Sequence, residues 1–261
     1  MSGFAQSFHL VATLLFVLAS AVVSVRLLLL ARRTGEKPEL LLGLGVLGTA
    51  VLGYGVLIAA AIVRGPEQTV ATAFGPRALQ CAGQLLHDAG VSMVVLFVLT
   101  VFRQGERWAV GLASAMIAAL WLGGIGWELE NRFRSAGIGN GFWWLRYAVI
   151  WSYSLWTVVE SYRYYGLMRR RVALGLADPL VANRFLLWGT GALGTALAVW
   201  SASVPYVLTL ASGPALVLAW TPAIHLVTAS VGVVTVAIYY LTFFPPAPYR
   251  RWVAGEGQPA R

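Results

Sequence analysis

Charge is scarce in this chain. Asp, Glu, Lys and Arg make up 11% of its 261 residues, where a soluble domain carries about 25%. That deficit excludes an ordinary soluble enzyme and a disordered chain. It excludes a nucleic-acid-binding domain as well, because the net charge of +9 has no polar, basic face to carry it. Lysine is almost missing: of 19 cations 18 are Arg, and the single Lys is Lys37. Cys81 is the only cysteine and forms no internal disulfide. The first ten residues hold no cation. They therefore lack the basic segment of a cleavable signal peptide, and the first apolar run is expected to stay as a reverse anchor. The bias toward Arg, Ala, Gly, Leu and Val points to a GC-rich bacterial genome. The expected location is the plasma (bacterial inner) membrane.

What is abundant is apolar sequence, 59% of the chain. Seven runs reach the ~20 residues that cross a bilayer as helix. They lie at 8–31, 40–63, 78–102, 108–127, 142–167, 184–209 and 216–244, with a short tail at 245–261. A backbone in lipid must satisfy its own hydrogen bonds, so each run is a helix or part of a closed barrel. Runs of this length without period-2 alternation are helices. The fold class is therefore all-α, a single seven-helix membrane domain. Cations in the connections set its orientation. With Met1 outside, 12 cations fall on inner segments, among them Arg32, Arg33, Arg103, Arg107 and Arg169 to Arg171; 4 fall outside, at Arg64, Arg77, Arg132 and Arg134. The chain is expected N-out and C-in.

The sequence also repeats. Residues 24–33 (SVRLLLLARR) and 161–170 (SYRYYGLMRR) share five of ten positions at an offset of 137. Residues 43–52 and 189–198 share six of ten at an offset of 146. His87, Ser92, Val95 and Val98 match His225, Ser230, Val233 and Val236 at 138. Helices 1–3 (8–102) thus pair with helices 5–7 (142–244), and helix 4 (108–127) restores the direction, so the triplets run parallel. This three-plus-one-plus-three plan resembles that of SWEET and PQ-loop transporters and, within a transporter–opsin–receptor grouping, of microbial rhodopsins. The resemblance covers topology and repeat only. No helix holds a Pro-Gln dipeptide, and helices 1 and 2 contain no proline. Opsins anchor retinal on a lysine of the seventh helix. Here that helix has none and Lys37 lies in a loop, so covalent retinal is excluded.

Polar groups inside a bilayer are costly and usually functional. His87 and Asp88 in helix 3 and His225 in helix 7 stand at similar depth, with Ser92 and Ser230 deeper. Gln84 is one turn from Asp88. The histidines suit three roles: donors to a small ligand between helices 3 and 7, axial ligands of a haem, or packing hydrogen bonds. Asp88 suits a proton carrier, a counter-ion or the partner that orients His87. Trp151, Tyr153, Trp156, Trp200 and Trp220 suit an apolar pocket wall, although such stripes also serve packing. Arg26, Glu160 and Arg163 read as snorkelling residues with Glu160 and Arg163 paired. The GLGVLG and GTGALG segments match a dinucleotide fingerprint but lie inside apolar spans, where small residues let helices approach closely. No nucleophile set, metal-ligand spacing or phosphate loop supports an enzyme. The expected partners are the bilayer and a small molecule, with transport as the first reading. A receptor would need a separate signalling chain, and a haem redox protein is the third reading. An oligomer is compatible with all three.

Overall fold

The computed structural model describes residues 2–64, 73–131, 139–212 and 214–254. The segment 132–138 with Arg132 and Arg134, the connection at 65–72 and the end of the tail lie outside the described residues. All described regular structure is helical. We number the helices α1 (Ser2–Thr34), α2 (Lys37–Arg64), α3 (Phe74–Phe102), α4 (Arg107–Glu130), α5 (Gly141–Ala173), α6 (Pro179–Ser212), α7 (Pro214–Phe243) and α8 (Ala247–Ala254). Six of them, α1–α4, α6 and α7, are long and apolar enough to cross a membrane. α5 is long enough, with 33 residues, but Arg146, Glu160 and Arg163 interrupt its apolar sequence.

Local chemistry sets the ends. Asn140 caps α5, its Oδ1 accepting from Trp143 N at 2.8 Å. Asp178 caps α6 through Leu180 N at 2.8 Å. Past α5, Gly175 adopts φ +70°, and Leu176 N returns to Arg171 O at 2.8 Å. This closure satisfies carbonyls the helix leaves open, and glycine takes the left-handed turn without strain.

The helices close a ring. α1 packs on α2, α2 on α3, α3 on α5, α5 on α6, α6 on α7 and α7 back on α1. α4 stands outside the ring, against α3 and α5. Outward faces carry exposed apolar side chains such as Leu14, Leu18, Val22 and Leu122, as a lipid-facing surface requires. Inside, one core joins Val91, Val95, Leu120 and Val149, and a second joins Leu27, Leu42, Val98 and Trp188.

The glycine-rich segments are packing devices. In α2, residues Leu47–Gly53 widen into π-helix. Such a turn presents backbone differently from the helix around it. It presses α2 onto α3 without side chains between them. A Cβ at Gly48 would lie 2.7 Å from Gly90 Cα, and one at Gly90 would strike Thr49 N and stand 2.6 Å from Gly48 C. On α6, Gly191 and Gly194 receive Tyr239 and Thr235 of α7. The two serines of the sequence repeat meet matched glycines: Ser24 Oγ donates to Gly43 O at 2.9 Å, and a Cβ at Gly189 would lie 3.2 Å from Ser161 Cβ.

Gly90→Ala is expected to destabilise the protein by about 1–3 kcal/mol, since the obstacle is backbone that cannot swing away. Gly55→Ala on α2, where an added Cβ meets nothing within 4 Å, is expected to be neutral or to stabilise by up to about 1 kcal/mol. Thermal unfolding in detergent micelles compares them; equal melting temperatures would refute the tight α2–α3 contact.

Candidate functional site

Asp88 is the fifteenth residue of α3, about 21 Å from either helix end at 1.5 Å per residue. A lone carboxylate there would be very unfavourable. The structure supplies its partner from α5. Arg146 Nε donates to Asp88 Oδ2 at 2.8 Å and Nη2 to Oδ1 at 2.6 Å, a two-point pair. The same Nη2 donates to Gln84 Oε1 at 2.6 Å. His87 Nδ1 stands 3.2 Å from Asp88 Oδ1, and its ring meets Tyr54 edge-on. Asp88 and Arg146 are 1% and 2% exposed, so both charges are removed from solvent and satisfied by each other. Ser92 Oγ donates to Asp88 O at 2.9 Å and accepts from Trp121 Nε1 at 3.1 Å.

α4 is shaped to admit this cluster. A Cβ at Gly124 would lie 2.6 Å from Asp88 Oδ2, and one at Gly123 would lie 2.7 Å from Arg146 N. No side chain fits at either position.

A second ionic group joins the same two helices at their other end. Arg103 Nε donates to Glu160 Oε1 at 2.7 Å, and Arg163 Nη1 reaches Glu160 Oε2 at 3.4 Å. Glu160 is buried. Arg103 also bonds Glu106 at 3.1 Å. Those bonds, with a further one from Trp108, hold the exposed Glu106 carboxyl below the usual carboxylate range. From Arg146 to Glu160 is about 21 Å along α5. α3 and α5 therefore run parallel, fastened by ions at two levels.

The opposite seam of the ring, α1 with α7, is held differently. The His9 and His225 rings stack at 4.5 Å, 6° from parallel. Farther along, the Arg26 guanidinium lies over the Phe244 ring at 4.3 Å. These contacts also join parallel helices, but no ion pair links α1 to α7 among the described residues.

Between the seams lies a chamber of about 340 Å³, within the range of ligand pockets. All six ring helices line it, and its surface is mainly apolar. Ser20, Thr49, Tyr153, Ser154, Thr157, Thr195, Tyr239 and Tyr240 supply its hydroxyls. Beneath it is a vestibule of about 370 Å³ that includes Arg26, Glu39 and Arg184. Leu42, Trp188 and Phe243 line both spaces.

The sequence-predicted residues divide accordingly. Gln84, His87, Asp88 and Ser92 form one cluster. His225 does not join it: its ring partner is His9 on the other seam, so the two histidines expected to face one ligand or haem stand apart. Ser230 is exposed, because that face of α7 turns outward. Trp220 is 55% exposed and does not line the chamber. Trp200 borders a separate shallow space with Trp151 and Ser203. Trp156 packs between the two cores and points its Nε1 toward Glu160 at 3.3 Å. Glu160 is not a snorkelling residue but a buried pairing centre. Tyr153 alone of the expected aromatic wall lines the chamber. Arg146 is not among the sequence-predicted residues, although an arginine at the fifth position of an apolar run was the available signal. Comparison with family models, with curated proteins and with solved structures yields no match.

Asp88→Asn leaves Arg146 buried with its charge unpaired and is expected to cost about 3–5 kcal/mol. Asp88→Asn combined with Arg146→Met removes both charges and is expected to recover part of that loss. His9→Leu, which removes only a ring stack, is expected to cost about 1 kcal/mol. Chemical unfolding in micelles gives the three values; a cost for Asp88→Asn no larger than for His9→Leu would refute the ionic clamp.

Proposed function

We propose that this chain is a seven-span membrane protein that binds a small, mostly apolar molecule in its central chamber, between α3 and α7, and carries it across the bilayer. α5 serves as the remaining span, its polar groups turned inward. Two parallel triplets, α1–α3 and α5–α7, flank the linker α4, with the N-terminal end outside and the C-terminal end inside a bacterial inner membrane. The cation count in the connections supports that orientation.

The observation that carries this reading is the unequal fastening of the two seams around one chamber. The repeat offsets relate them. His87 on α3 corresponds to His225 on α7 at 138, and Arg146 on α5 corresponds to His9 on α1 at 137. Equivalent positions hold an ionic cluster on one seam and a pair of imidazoles on the other. The halves depart from each other at the middle helices, where α2 carries the π-helical turn and α6 continues as α-helix. In this reading the α3–α5 seam is the hinge and the α1–α7 seam the gate. Rocking one triplet on the other opens the chamber in turn to each side.

Spin labels test the motion. In a Cys81→Ser background, one pair is placed across the gate at Val22 and Tyr240, both exposed. Another is placed across the hinge at Leu85 and Leu155, also exposed. Pulsed dipolar measurements in nanodiscs are expected to give two populated distances across the gate and one across the hinge. A single narrow distance at the gate would overturn the transport reading.

A further inference from the structure

The vestibule has a composition the chamber lacks. Arg26 and Arg184 line it and are exposed, with no carboxylate within salt-bridge distance among the described residues. Glu39 lines it too, and its Oε2 is buried without a hydrogen-bond partner. Trp188 lines both vestibule and chamber, is 9% exposed, and has a buried Nε1–H with no acceptor. Buried polar atoms left unpaired are unfavourable, and a bound molecule that pairs them removes that penalty. A third groove, along the lipid face of α1, shares Val22 and Phe244 with the chamber and Arg26 and Leu30 with the vestibule. The three spaces therefore meet around Arg26 and Phe244, beside the α1–α7 gate.

Two guanidinium groups favour an acidic group. An unpaired carboxylate oxygen beside them favours a hydrogen-bond donor on the same molecule. The orphan indole N–H favours an acceptor where the two spaces join. The chamber beyond favours an apolar chain. We propose that vestibule and chamber form one binding site for a single-chain amphiphile whose acidic head carries its own hydrogen-bond donor. The chain fills the chamber past Leu42, Trp188 and Phe243. An ester or similar oxygen accepts from Trp188. The acidic group sits with Arg26 and Arg184, and its donor reaches Glu39. The lipid-side groove gives such a molecule a path from the bilayer that keeps its chain out of water. This inference rests on the reading of the chamber as a binding site and names the class of molecule that site takes.

Native mass spectrometry of the detergent-purified full chain tests it, with three probes that share one oleoyl chain. Lysophosphatidylethanolamine has the acid and the donor. Lysophosphatidylcholine has the same phosphate but no N–H donor. Oleate has an acid alone. Lysophosphatidylethanolamine is expected to bind about tenfold more tightly than either of the others. Arg26→Gln with Arg184→Gln is expected to weaken it by at least about tenfold. Glu39→Gln is expected to abolish its advantage over lysophosphatidylcholine. Melting temperature and size-exclusion profile confirm that each variant is folded. Equal binding of the three probes, or binding unchanged by the double Arg substitution, overturns the head-group assignment. Ala192→Phe, which fills the chamber, separates this failure from failure of the underlying reading. If it weakens all three probes while none is preferred, the chamber stands and the head site falls. If it weakens none, the chamber reading falls and takes this inference with it.

Discussion

The pair between Asp88 and Arg146 constrains the rest of the bundle. Two full charges sit in the middle of a helix bundle that faces lipid, and neither is tolerable alone. Their two-point contact fixes the height and the rotation of α5 against α3. That contact in turn dictates glycine at 123 and 124 on α4, since any side chain there would occupy the carboxylate or the arginine backbone. It orders Gln84 and His87 around the guanidinium. With Arg103 and Glu160 some 21 Å away along α5, it fastens α3 to α5 at two levels, and α4 rests against both. Cooperative polar networks of this kind are worth more than their separate bonds only when every member is satisfied, and here each charged member is.

Under the proposed repeat, the two halves of the ring are unequal. Arginine at 146 answers to histidine at 9, and the carboxylate at 88 answers to Leu226. One seam acquires a clamp that water and salt do not reach. The other acquires stacked rings and a cation over a phenyl face, contacts worth about 0.5–2 kcal/mol each. In the proposed mechanism a difference of this size separates the joint that holds from the one that yields. The π-helical turn of α2 adds to the contrast, setting backbone on backbone between α2 and α3 and stiffening the half of the ring next to the clamp.

The helices were legible because lipid leaves the backbone no alternative and because their apolar runs are long. Most of the helices extend past their runs at one or both ends, into polar segments such as Arg107 and Arg169 to Ala173, since hydropathy marks the oily part of a helix and not its hydrogen-bonded end; α8 forms within the expected tail. Asp88, His87 and Gln84 were legible as costly residues in an apolar setting. Arg146 was not, because it lies near the crowded charges of the preceding connection, and its partner is 58 residues away. Spacing along one helix reveals a neighbour at three or four residues; it carries no information about which helix stands opposite. The same limit applied to Ser230 and Trp220. Both sit on an apolar helix whose pattern does not distinguish the chamber side from the lipid side. The vestibule was illegible for a related reason: Arg26, Glu39 and Arg184 come from three helices, and each alone looks like an ordinary interfacial residue.

The distance in sequence between the clamp's partners has a consequence for how the protein is made. At about 5–20 residues per second, roughly 3–12 s of synthesis separate Asp88 from Arg146. During that interval α3 exists without its counter-charge. The carboxyl must remain protonated, remain in contact with water, or wait at the insertion machinery until α5 arrives. α4, lacking any charge between Trp108 and Trp127, inserts in this window and offers the waiting carboxyl only its glycine face. Biogenesis therefore has a commitment point at α5. Before it the nascent bundle holds an unpaid charge; after it α6 and α7 complete the ring against a half already locked, and the last seam to close is the one held by stacked rings and not by ions.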